Sequence, residues 1–133
     1  MWGFSIGVGL WLGALIWWDA RQGILPNVLT LPGVAVSWAW ALFCHQPWWI
    51  GGGVAWAALY LLVGWVVRGV GGGDVKLAAS LGVLVCAGSG VPGWCVAVVG
   101  ASIASLLLMA VLRRGRVPHG PSMVVSALCG AAM

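Results

Sequence analysis

Asp19 and Asp74 are the only two acidic residues in a chain of 133. Asp19 follows Trp17 and Trp18 at the close of the first long apolar run. Asp74 lies in Gly71-Gly72-Gly73-Asp74-Val75-Lys76-Leu77, just before a later one. A carboxylate at mid-membrane costs about 2.5–3.5 kcal/mol on insertion scales, and less near an interface. Keeping two of them at the ends of apolar runs points to joint use. Two aspartates brought close cannot readily both ionise, so the pair shares a proton. The ionised member can then act as general base on a water while the protonated one polarises a carbonyl, as paired carboxylates do in peptide-bond hydrolysis. That chemistry calls for no metal and no cofactor.

The elements that must position these groups follow from composition. Hydrophobic residues make up 62% of the chain and charged residues 6%, against about 25% charged in a typical soluble domain. Such a chain cannot cover itself with polar surface, so lipid is its expected solvent. The expectation is one domain over residues 1–133, an all-α, polytopic transmembrane helical bundle of about six spans. The apolar runs place these at about 2–18, 28–43, 48–67, 77–90, 94–112 and 122–133. Between them lie a polar loop from Asp19 to Thr30, a turn at Cys44-His45-Gln46-Pro47, a loop holding the Asp74 motif, and a tight turn at Pro92-Gly93. The N-terminus has no Lys or Arg ahead of its apolar run, which favours a retained helix over a cleaved signal peptide.

Six basic residues against two acidic ones give a net charge of +4. They stand singly or in one short cluster, which argues against nucleic acid and for a topology signal. Arg21 falls in the first loop, Arg68 and Lys76 in the third, and Arg113, Arg114 and Arg116 in the fifth. With six spans these loops share a side. The positive-inside rule makes that side cytoplasmic and puts both termini outside. Asp19 and Asp74 then share the cytoplasmic face. Cys44, Cys86, Cys95 and Cys129 form no CxxC pair, so a zinc ribbon is unsupported. Cys86 and Cys95 flank an outward turn where a disulfide is open to them.

Three segments carry a resemblance to a known family. Asp19-Ala20-Arg21-Gln22-Gly23-Ile24-Leu25-Pro26-Asn27, running on into Leu29-Thr30-Leu31-Pro32, resembles the first catalytic segment of the type IV prepilin peptidases. Gly71 to Leu77, followed by Ala78-Ala79-Ser80-Leu81-Gly82, resembles the family's GxGDxKL segment. Val117-Pro118-His119-Gly120-Pro121-Ser122-Met123 resembles its third segment, usually Pro-Phe-Gly-Pro. The resemblance implies an aspartyl endopeptidase of the bacterial inner membrane. It would cut the short basic leader from prepilins or pseudopilins, with Asp19 and Asp74 as the catalytic pair. By the same resemblance Gly71, Gly73, Lys76, Pro26, Asn27, Pro118, His119, Gly120 and Pro121 bind substrate or shape the site. The tetrad of cysteines that accompanies N-methylation in many members is not in this sequence, so a peptidase without that module is expected. His119 stands where the family has Phe, and the last apolar run is short.

Plainer roles exist for the same residues. Asp19 suits a helix cap. Lys76 suits the topology signal, or lowers the pKa of a neighbouring carboxylate. Pro26 and Asn27 suit a helix start, breaking the chain and satisfying the first backbone donors. The glycines before Asp74 leave room for positive φ or for an approaching chain. Two other function classes fit an apolar chain with membrane-end acids: a small proton- or ion-coupled transporter, and a non-catalytic partner in pilus or secretion assembly.

Overall fold

A computed structural model describes residues 2–67, 71–112 and 120–132. Among these the only regular secondary structure is helix: α1 Trp2–Gln22, α2 Asn27–Phe43, α3 Trp48–Val67, α4 Gly72–Leu112 and α5 Gly120–Ala131. That is five helices where about six spans were expected. The fourth and fifth expected spans form one element, α4, and the break inside it is at Gly90 rather than at Pro92-Gly93. Gly90 has φ 66° and ψ −153°, a region open to glycine and closed to other residues. Pro92 sits in the turn after the break, where a missing N–H does no harm.

A straight helix of 41 residues would be about 60 Å long, about twice the hydrocarbon thickness. The break turns the chain back. Trp94, four residues past it, donates its indole N–H to the carbonyl of Gly52 in α3 at 2.9 Å. Gly52 also abuts Gly82 and Cys86, which precede the break. The second half of α4 then runs antiparallel to α5. Gly93 and Ala97 lie against Gly130, Gly100 against Ser126, and Ser105 pairs with Ser122 at 3.1 Å.

Small residues set these close approaches, as in membrane helix pairs. A Cβ on Gly53 would lie 2.3 Å from the Ala79 carbonyl oxygen, and one on Gly82 2.5 Å from that of Gly52. Tryptophan N–H groups add cross-links: Trp38 donates to Ala79 at 3.4 Å and Trp11 to Leu29 at 2.8 Å. The buried core is apolar, built from Leu12, Leu15, Trp56, Leu77, Leu81, Val85 and Met123. Large apolar side chains also cover the outside, including Leu10, Phe43, Leu62, Val99 and Val111. An exterior of that kind suits lipid. Among the described residues, two helical segments are by length and composition long and apolar enough to cross a membrane, Trp48–Val66 and Gly72–Ser105, the second containing the break at Gly90. The thiols of Cys86 and Cys95 are free, and Cys86 is buried.

Candidate active site

The site lies at the end of the bundle where α1 finishes and α4 and α5 begin. On α1, Leu12, Leu15 and Asp19 are 5%, 1% and 3% exposed. Their spacing of i, i+3 and i+7 puts them on one helical face. The buried stripe of α1 therefore ends in a carboxylate. α1 continues past Asp19 to Gln22, so Asp19 is in the helix and not at the head of a loop. Arg21, on another face, stacks over the Trp17 ring at 4.8 Å.

The Asp19 carboxylate is held by the third segment. Its Oδ2 accepts the backbone N–H of Gly120, the first residue of α5, at 2.8 Å. A Cβ on Gly120 would lie 2.5 Å from that oxygen, so only glycine admits the contact. The carboxylate thus serves the start of α5, a helix distant in sequence, and not the end of its own. Pro121 follows as the second residue of α5. Pro118 and His119 lie outside the described residues, as do Arg68, Arg113, Arg114 and Arg116.

Asp74 is half-buried in the first turn of α4. The expected loop around it is helix from Gly72 onward, with the Asp74 N–H bonded to the Gly71 carbonyl at 3.1 Å. Positive φ is not the use of these glycines; among the described residues it occurs at Gly23, His45 and Gly90. Gly73 is needed for approach, because a Cβ there would lie 2.6 Å from the Leu25 Cβ. Leu25 is buried and belongs to the short connection 23–26 between α1 and α2. Tyr60 of α3 is buried and stands edge-on to Trp56.

The connection between α1 and α2 thus touches both acidic segments. The Gly23 N–H bonds to the Asp19 carbonyl at 2.8 Å, and Leu25 packs on Gly73. Pro26 precedes α2 in extended backbone, and its carbonyl accepts the N–H groups of Leu29 and Thr30. The helix has no side-chain cap. Asn27, expected to serve its first donors, instead accepts the Lys76 ammonium at 2.6 Å. Each aspartate also stands at a helix N-terminus, Asp19 against α5 and Asp74 within α4. The positive ends of those helix dipoles favour negative charge, typically by about 0.3–1 kcal/mol each, and offset part of the cost of a carboxylate near lipid.

Comparison with protein families gives a match over residues 6–113 to the type IV leader peptidase family. That span includes both aspartates and most of the helices. The chain belongs to the type IV leader peptidase family. The family is one of peptidases, and its membership together with the apolar helices makes this a membrane protein. Gly120 and the rest of the third segment lie beyond the matched residues. No significant match was found among curated proteins or among solved structures.

The positions absent from the sequence reading are Leu25, Tyr60 and the stripe of Leu12 and Leu15. The stripe had a signal in its helical spacing. Leu25 and Tyr60 had none, since their importance comes from what other helices bring beside them.

Proposed function

We propose that this leader peptidase family member is an intramembrane aspartyl endopeptidase, cutting the basic leader from prepilins or pseudopilins at the cytoplasmic face of the bacterial inner membrane. The observation that carries the reading is the buried Asp19 carboxylate, anchored by Gly120 at the bundle end where the Asp74 segment also begins. Family membership supplies the general substrate class. With the chain turned back at Gly90, the basic residues fall in alternate connections of the sequence, which supports the cytoplasmic orientation.

In this reading Asp19 and Asp74 share one proton. The ionised member takes a proton from a water, whose oxygen attacks the carbonyl carbon of the scissile bond. The protonated member hydrogen-bonds to the carbonyl oxygen and stabilises its developing negative charge. Collapse of the tetrahedral intermediate delivers a proton to the leaving nitrogen as the C–N bond breaks. Gly71 leaves space beside the Asp74 carboxylate, Gly73 admits Leu25 against the start of α4, and Gly120 fixes the orientation of Asp19. Pro121, in the first turn of α5, shapes the side next to Asp19.

The test uses the purified protein in liposomes with a synthetic prepilin, comprising a basic leader ending in Gly, then Phe and an apolar helix. Mass spectrometry should find a cut after the Gly. An intact substrate, or proton flux in its place, overturns the proposal.

A further inference from the structure

The Lys76–Asn27 contact joins two of the three sequence segments and has a cost that asks for an explanation. Lys76 is the fifth residue of α4, where the positive pole of the helix dipole disfavours a cation. Its partner is a neutral amide, so the 2.6 Å bond leaves the charge in place. On the other side, α2 begins without a side-chain cap while its first residue, an asparagine well suited to local backbone bonding, reaches to another helix. Both helices give up a local advantage to make the same contact.

The position of the contact shows what it holds. Leu25 against Gly73 is one rung between the connection 23–26 and the start of α4. Asn27 to Lys76 is a second rung, two residues further along one strand of contacts and three along the other. Asp74 lies between the rungs. From the same connection, Gly23 bonds back to the carbonyl of Asp19. We propose that Lys76 and Asn27 form a positioning clasp that sets the height and rotation of Asp74 relative to Asp19, acting through geometry and not through the lysine charge on the carboxylate. Neither residue need touch substrate. The inference rests on the peptidase reading above and adds to it how the pair is held.

The experiment compares cleavage of the synthetic prepilin in liposomes by wild type, Asn27→Leu, Asn27→Asp, Lys76→Met and the Asn27→Leu/Lys76→Met double variant. Loss of the clasp should lower kcat on the order of 10- to 100-fold, with KM within about twofold. The double variant should be no slower than the slower single one, because both remove the same contact. Asn27→Asp, which keeps an acceptor oxygen in place, should recover most of the loss. The pH–rate profile of Asn27→Leu should keep the wild-type shape. Wild-type kcat in Asn27→Leu, multiplying losses in the double variant, or a shifted pH profile would each overturn the clasp, the last two pointing to lysine charge acting alone. Circular dichroism and thermal unfolding confirm that each variant is folded; both side chains are at the surface or half-buried, so little stability should change. Failure of the peptidase reading itself is separate, because it shows as an inactive wild type.

Discussion

The Asp19 carboxylate accepts the backbone N–H of Gly120 at 2.8 Å, across 101 positions of sequence. The bond fastens the end of α1 to the start of α5 and orients one acid of the proposed pair. It also explains why a glycine stands in the third segment. Any side chain there would enter the space that Oδ2 occupies.

Gly120→Ala should therefore impair cleavage while leaving the fold intact. The added Cβ would lie 2.5 Å from Oδ2 and 3.1 Å from Cγ of Asp19, so the carboxylate must rotate away. A misplacement near 1 Å costs on the order of 100-fold in rate. Steady-state cleavage of the synthetic prepilin measures it, and a rate within threefold of wild type would show that Gly120 does not set the orientation of Asp19.

Gly73→Ala makes a second case with a sharper signature. The new Cβ would meet the Leu25 Cβ at 2.6 Å and its carbonyl oxygen at 3.0 Å. Trimming Leu25 to Ala keeps both of those atoms. Activity lost in Gly73→Ala should consequently stay lost in Leu25→Ala/Gly73→Ala. Recovery in the double variant would mean that the clash is with the Leu25 side-chain tip and that the backbones are not in close approach.

The class of fold was legible from composition, since a chain with so few charges can only present an apolar exterior. The peptidase family was legible from the two acids and their neighbours. The number of helices was not. Proline and glycine at 92 and 93 read as a turn, yet a proline is tolerated in a first helical turn, and the chain breaks at Gly90 instead. The glycines at 72 and 73 read as loop because glycine is a poor helix former in isolation, yet both are in α4. Tertiary packing against Leu25 overrode that preference. Asn27 read as a local cap, and its partner proved to be 49 positions away. Contacts of that range leave no periodic trace in a single sequence.

Gly90 should resist substitution because of its backbone conformation and not for want of space. With φ 66° and ψ −153°, Gly90→Ala is strained by about 1–3 kcal/mol, although a Cβ there meets little but Pro92. Pro92→Ala should change stability by less than about 0.5 kcal/mol, because a proline at a helix start replaces no hydrogen bond. Thermal unfolding in detergent compares the two. Equal stability would show that the strained conformation at Gly90 is not what turns the chain.

In the proposed mechanism both carboxylates are required in one reaction. The direct measurement is cleavage of the synthetic prepilin by Asp19→Asn and by Asp74→Asn, each reconstituted in liposomes beside the wild type at matched amounts. Each single variant should release no leader above background while inserting and unfolding as the wild type does. Leader released at a comparable rate by either variant would contradict the two-aspartate mechanism.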